Sequence, residues 1–269
     1  MLVRAREAQA ADIREAEPAA RDALLRVHPV SYLDMLDTVA GQGGGVLDPD
    51  TIMSAGSWAA AVGGAGAVLA ALRHTLSGAG HAFAAVRPPG HHALADRAMG
   101  FCLLANVAIA AREAQSRGCR RILIVDWDVH HGNGMQALVE NDPTIRFVSL
   151  HQWPLYPGTG AAGERGVGNI WNVPRAAGLP PERYVEDLWN GIEQATAGWH
   201  PDLIVVSAGY DSMRGDPLGG FTLEPGHYAE WVHRLRGRAP SAPIVAALEG
   251  GYAPERLAEG VVATLGALA

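Results

Sequence analysis

Five short, largely apolar runs recur along the chain, at 82–86, 121–126, 145–150, 203–207 and 244–248. None alternates polar with apolar positions, which is the pattern of strands buried on both faces. Between them lie segments with helical spacing, at 53–77, 103–115, 181–198 and 224–237, with a closing helix after the last run. Strand and helix in alternation predict a parallel sheet covered by helices on both sides. Upstream, the spacing predicts a helix over 6–26, ending near Val27-His28-Pro29 where proline disfavours continuation. A short helix over Ser31–Val39 comes next, with Tyr32, Leu33 and Leu36 as its apolar stripe, then a loop over Gly41–Gly45 and a turn at Asp48-Pro49-Asp50-Thr51.

The runs also end alike, in residues that can carry chemistry. Ala82–Val86 leads into Arg87-Pro88-Pro89-Gly90-His91-His92, and the two prolines and glycine make a stiff, non-helical loop. Ile122–Val125 leads into Asp126-Trp127-Asp128-Val129-His130-His131-Gly132-Asn133-Gly134. If the backbone stays extended there, Asp126, Asp128 and His130 point to one side. The later runs end in His151, Asp211 and Tyr252. In a parallel sheet these positions share one edge, where ligand crevices form.

Acids and imidazoles at the ends of core strands are costly unless something pairs them. A hydrogen-bonded loop is the plain alternative for 126–134 alone, but five strand ends carrying such groups favour a metal site. Asp128, His130 and Asp211 are the candidate ligands, two carboxylates and one imidazole with a position left open, which is a catalytic rather than a structural pattern. The chemistry this suits is metal-assisted hydrolysis of a polarised carbonyl. His91 and His92 are placed for proton transfer, Tyr252 for donation to an oxyanion from a mobile Gly-Gly hinge, and Asp126 and Asn133 for orienting the imidazoles. His131 and His151 are expected to make structural hydrogen bonds.

Length and composition narrow the partners. The 269 residues suit a single domain, and 48% hydrophobic with 18% charged residues is an ordinary globular balance. A net charge of -7 and no Lys/Arg run give no attraction for nucleic acid or an anionic membrane. Ser54–Leu72 is uncharged and long enough to span a bilayer, but its alanines and glycines suit a helix packed closely on a sheet. Two cysteines, Cys102 and Cys119, make no disulfide framework and suit a reducing, cytoplasmic setting.

Together, Arg87-Pro-Pro-Gly-His-His-Ala93, Gly100-Phe-Cys-Leu-Leu-Ala-Asn106, Asp126-Trp-Asp-Val-His-His-Gly-Asn-Gly134, Ser149-Leu-His151, Pro157-Gly-Thr-Gly160, Ser207-Ala-Gly-Tyr-Asp-Ser212, Gly215-Asp-Pro-Leu-Gly219 and Leu248-Glu-Gly-Gly-Tyr252 resemble the histone deacetylase family. The forms Asp-Trp-Asp-Val-His-His-Gly-Asn-Gly and Leu-Glu-Gly-Gly-Tyr are similar to class II enzymes and their bacterial relatives, and the likeness runs through nearly the whole chain. It implies a three-layer α/β/α arginase/deacetylase fold with a central, mainly parallel sheet, formed by one zinc-dependent deacetylase domain over 1–269. By the resemblance Asp128, His130 and Asp211 hold zinc, with Fe²⁺ as the alternative in vivo. His92 is the general base and acid, and His91 its electrostatic partner. Asp126 bonds His91, Asn133 stands beside His92, and Tyr252 polarises the acetyl carbonyl. Phe101 and Tyr156 line a tunnel for the lysine stem, and Gly100 accepts from the substrate amide. A structural potassium site matches Asp126, Ser149 and the carbonyls of Asp128, His130 and Leu150.

Two departures from the family matter. The chain begins where relatives enter their first helix, so the expectation is a sheet without their first edge strand, which favours homo-oligomerisation. Leu218 stands where polyamine-selective relatives carry an acid, so the expected substrate is acetyl-lysine in a peptide or protein. A small acetylated amine and a metal-binding scaffold without turnover are the alternatives.

Overall fold

The outer layers exist because the sheet between them is apolar on both faces. In the computed structural model, which describes residues 12–269, six strands align in parallel in the order β3-β8-β7-β4-β5-β6. They are β3 (Ala82–Ala84), β4 (Ile122–Asp126), β5 (Ile145–Gln152), β6 (Ile170–Arg175), β7 (Leu203–Ala208) and β8 (Ile244–Leu248). Every residue of β4, β7 and β8 is buried. Six longer helices surround them: α2 (Val30–Gly41), α3 (Ser57–Leu76), α4 (Asn106–Ser116), α6 (Pro181–Ala195), α7 (Pro225–Arg238) and α8 (Pro254–Leu268). The short α1 (Arg21–Leu24) and α5 (Asn133–Val139), and a hairpin of β1 (Gly44–Asp48) and β2 (Thr51–Ser54), complete the described elements.

Local signals explain the boundaries. In α6 the buried Tyr184, Val185, Leu188, Ile192 and Ala195 recur at helical spacing, and Pro181 opens the helix where its missing N–H costs nothing. At the start of α7 the Glu224 side chain accepts from the His227 backbone, and His227 Nδ1 accepts from Glu224 N, a reciprocal cap. α3, charged only at Arg73 in its last turn, is apolar and long enough to cross a membrane, yet it packs against β3, β8 and α4, burying Ala61, Gly64, Ala65, Val68 and Leu72.

The structure corrects several sequence expectations. The helix over 6–26 is not formed across 12–20, which holds no regular secondary structure and where Ala19 N donates to Val62 O; only Arg21–Leu24 is helical, and residues 6–11 lie outside those described. Pro18 sits within that irregular run and has no N–H to give a helix. The loop assigned to 41–45 shortens to a turn at 42–43, between the end of α2 at Gly41 and the start of β1 at Gly44. β6 escapes a hydrophobic reading because it is an edge strand carrying Asn172, Pro174 and Arg175, and edges tolerate proline. Asn169 ties that edge inward by donating through Nδ2 to the carbonyls of Val139, Asp142 and Ile145 at 2.8, 3.0 and 2.9 Å.

Among the described residues β3 is the other edge strand. A groove of about 720 Å³ runs beside it, lined by residues 12–16, α3, β3 and the end of α8.

The order of the strands fixes where a site can form. From β4 the chain moves outward through β5 to β6, then returns to β7 on the other side of β4 and continues to β8. Crossovers therefore leave the β4–β7 boundary in opposite directions, opening a crevice beyond the C-terminal ends of those two strands. Ile124, wholly buried at the centre of β4, is a test of the core: Ile124→Ala should lower unfolding free energy by about 2–5 kcal/mol. Urea unfolding followed by circular dichroism measures it.

Candidate functional site

β4 stops at Asp126, and the chain turns instead of continuing extended. The turn is closed by acids on its own backbone: Asp128 N donates to Asp126 Oδ1 at 3.1 Å and His130 N donates to Asp128 Oδ1 at 2.9 Å. Asp126, Asp128 and His130 therefore do not form one row. Asp128 and His130 face Asp211, which lies beyond the end of β7, while Asp126 turns to His91, with 3.1 Å between Asp126 Oδ2 and His91 Nδ1.

Ligand atoms of Asp128, His130 and Asp211 lie within 4.8 Å of one another. His130 Nδ1 is 3.0 Å from Asp128 Oδ1 and 3.1 Å from Asp211 Oδ2. The carboxylates are held from behind: Val129 N donates to Asp211 Oδ1 and Gly250 N to Asp128 Oδ2, both at 2.8 Å. Backbone must come close to do this. A Cβ on Gly209 would lie 2.2 Å from Asp128 Oδ2, and one on Gly250 would lie 2.1 Å from Asp211 Oδ2. Burial disfavours charge on all three groups. For His130 the two carboxylates outweigh burial and raise its pKa to about 10, whereas burial and the neighbouring Asp128 push Asp211 up to about 7. Two wholly buried carboxylates converging on one imidazole fit a divalent cation by donor number, donor type and need for charge.

The other candidates border this cluster. His91 and His92 are buried with ring centroids 3.9 Å apart. Burial acts against charge on His91, but Asp128 and Asp126 reverse it and raise its pKa well above the usual value. Burial and His91 lower that of His92, so His92 is neutral at pH 7. His92 Nδ1 lies 2.7 Å from Asn133 Oδ1, an acceptor, so Nδ1 carries the proton and Nε2 is free to accept one. Tyr252 stacks edge-on to Phe101 at 5.9 Å, with the Arg87 guanidinium 5.7 Å from its ring centre. Burial and the nearby acids raise its pKa, keeping the hydroxyl protonated.

A cleft of about 260 Å³ is lined by Asp50, His92, Gly100, Phe101, His130, Leu155, Tyr156, Leu218 and Tyr252. It thus brings together all four expected substrate-contact residues. Phe101 has φ 65°, a left-handed conformation costly for a side chain of its size. Hydrogen bonds hold that backbone: Gly100 N donates to Asp50 Oδ1 and Phe101 N to Thr51 Oγ1, each at 3.0 Å. The β1–β2 turn was missed as part of the site because Asp-Pro-Asp-Thr carries only a turn signal. Glu249 was missed too, although an acid ending the apolar run of β8 is itself a signal; it is wholly buried and bonds the histidine loop.

Of the residues matched to potassium, Asp126 and Ser149 are register partners on adjacent strands, and Leu150 is next along β5. Ser207 pairs with Asp126 on its other side, and its buried hydroxyl has no partner. His131 bonds Thr159 and Gln136, and His151 bonds Ser149 and the Gly160 carbonyl.

A family model described as the histone deacetylase domain matches residues 1–268. The chain is 46% identical over 244 residues to an uncharacterized protein of Synechocystis, covering 90% of this chain and 80% of that one. It is 39% identical over 250 residues to a histone deacetylase-like amidohydrolase of Pseudomonas aeruginosa, covering 89% and 66% respectively. Among solved structures, the HD domain of HDA15 superposes with a TM-score of 0.91 at 35% identity, covering 95% of this chain and 74% of that one.

His151 generates a pH prediction. Gly160 O can only accept, so His151 donates to it through Nε2, and Ser149 donates to Nδ1. Burial, reinforced by His131, lowers the His151 pKa to about 3. Its contribution to stability is therefore full above pH 6.5 and is lost as the pH falls, because only the unfolded chain takes up the proton. The stability gap between native protein and His151→Gln should be widest at pH 8 and close by about 1.4 kcal/mol per pH unit below 6.5. Urea titrations at pH 8, 6 and 5 measure it.

Proposed function

This chain belongs to the histone deacetylase family, and from that premise we propose that it is a zinc-dependent amide hydrolase that removes acetyl groups from lysine in peptides or proteins. The observation that carries the reading is the convergence of the Asp128–His130–Asp211 cluster, neutral His92 and protonated Tyr252 on one narrow cleft. Asp128, His130 and Asp211 would hold the zinc. When bound, zinc supplies Lewis acidity that polarises the carbonyl and acidifies water.

The chain's own groups do the rest. His92 accepts the proton of the attacking water at Nε2 and returns it to the leaving amine, so that acetate and lysine result. Asn133 fixes the tautomer this needs. His91, charged and bonded to Asp126, offsets the acids around it and keeps His92 from protonating early. Tyr252 donates a hydrogen bond from its hydroxyl to the carbonyl oxygen as negative charge develops there and keeps its proton throughout. Phe101 and Tyr156 flank the lysine stem, and the Gly100 carbonyl takes the substrate amide. Asp126, Ser149 and the carbonyls of Asp128, His130 and Leu150 would hold a potassium ion, with the unpartnered Ser207 hydroxyl beside Asp126.

Leu218 and the aromatic side chains at the mouth suit an uncharged chain passing into the cleft. Asp50 favours a second reading, an acetylated polyamine, because it is the one acid among the lining residues and would attract a distant amine. The free Cys102 and Cys119 support a cytoplasmic location.

A panel of acetyl-lysine peptides, acetylpolyamines and small amides, run on protein of measured zinc content, separates these readings. Release of acetate fastest from the peptides is the expected result. Zinc bound with every substrate left intact would instead identify a scaffold. Tyr252→Phe should lower kcat by about 10²–10³-fold, and Asp211→Asn should lose both zinc and turnover. Chelation should abolish hydrolysis, and added Zn²⁺ should restore it.

A further inference from the structure

The turn after β8 does more than deliver Tyr252. Its first residue, Glu249, is wholly buried, and its Oε2 accepts the backbone N–H of Gly90 at 2.6 Å and of His91 at 3.1 Å. The next residue, Gly250, donates to Asp128 Oδ2 at 2.8 Å and accepts from Tyr210 N at 2.8 Å. Tyr252 N then donates to Asp216 Oδ2 at 2.7 Å. Within four residues the turn is thus bonded to the histidine loop, to the acid–imidazole cluster and to the loop after β7.

Asn106 Nδ2 donates to Pro88 O and His92 N to Cys102 Sγ, and further bonds on the histidine loop come from β4 and the segment after it. Met135 N donates to His91 O at 3.0 Å, Asp126 pairs with the His91 ring, and Asn133 with the His92 ring. The β3–β8 ladder ends at Ala84 and Ala247, before either loop begins. Beyond it, Glu249 joins the segment bearing the two histidines to the segment bearing Tyr252. Packing alone does not call for an acid here, since the five residues before Glu249 are apolar and buried, and an aliphatic side chain would avoid the cost of desolvating a carboxyl. Its Oε1 has no partner among the described residues, so the side chain's bonding there is spent on the two loop amides.

We propose that Glu249 is a positioning residue, fixing the backbone of Gly90 and His91 and through it the His91 and His92 imidazoles at their distance from Tyr252. The proposal rests on the reading that His92 and Tyr252 act on one amide. Glu249 touches neither substrate nor metal in this role; it sets the spacing that both partners need, and misplacing a proton-transfer group costs turnover more than binding.

The test compares zinc-loaded native protein with Glu249→Gln, which keeps an oxygen acceptor, and with Glu249→Met, which fills similar volume without one. Glu249→Met should bind zinc at native stoichiometry and keep KM within about threefold while kcat falls by about tenfold or more. Glu249→Gln should restore kcat to within about threefold of native. Native kcat in the Met variant, or equal loss in both variants, overturns the proposal. Nitrogen-15 spectra of the histidine side chains supply a readout that needs no turnover. His91 and His92 signals should coincide in native protein and Glu249→Gln and shift or split in Glu249→Met; unchanged signals in Glu249→Met overturn the proposal. If native protein hydrolyses nothing, the functional reading falls, and these spectra still decide whether Glu249 fixes the loop.

Discussion

Everything at the C-terminal edge of this sheet depends on the need to offset buried negative charge. Asp126, Asp128, Asp211 and Glu249 are each wholly enclosed, within a few residues of strands that are otherwise apolar. Removing one carboxylate from water costs several kcal/mol after relaxation, and unpaired acids in such a place would protonate or unfold the edge. Each acid is met by backbone amides: Asp128 N, His130 N and Gly250 N, Val129 N, and the Gly90 and His91 amides. The His91 imidazole, between Asp126 and Asp128, adds positive charge, and His130, between Asp128 and Asp211, gives up its proton when it serves as a ligand. Amides supply dipoles, and the residual charge is what makes a divalent cation fit.

The same constraint separates the two adjacent histidines. His91 faces the acids and is held charged; His92, one residue on, faces Asn133, Tyr156 and the cleft, and the charge on His91 helps keep it neutral. A neutral amide beside His92 sets its tautomer while raising its pKa less than the full charge of a carboxylate would. Chain neighbours thereby acquire opposite protonation states.

Much of this was legible in the sequence, for a physical reason. Strands buried on both faces must be continuous apolar runs, so β4, β7 and β8 announced themselves, and with them the polar residues at their ends. The acid–imidazole cluster was legible once the strands were parallel, because their C-terminal ends then share an edge. β6, with Asn172 and Pro174, and the hairpin around Asp50 were not, because edge strands and short hairpins carry weak patterns. The turn after Asp126 also hid its geometry: Asp128 N and His130 N are drawn to side chains two residues back, which takes Asp126 to His91 and leaves Asp128 and His130 for Asp211. Side-chain bonds to the local backbone overrode the extended periodicity.

The glycines beside Tyr252 carry the last step. Read as a sequence, Gly250-Gly251 suggests a mobile hinge. In the structure Gly250 N and O are both bonded, and a Cβ there would lie 2.1 Å from Asp211 Oδ2 and 2.6 Å from Asp128 Oδ2. Gly250 is needed because backbone must approach two carboxylates at once, whereas the φ of 139° at Gly251 sets the turn. Gly100 repeats the logic, since its missing Cβ leaves room for the His92 ring at a point 2.2 Å away. A segment bonded at nearly every residue and packed without side-chain volume is stiff. Tyr252 is therefore presented by a fixed turn, and its position at the cleft is set by how the β8 turn is tied to the histidine loop rather than by hinge motion.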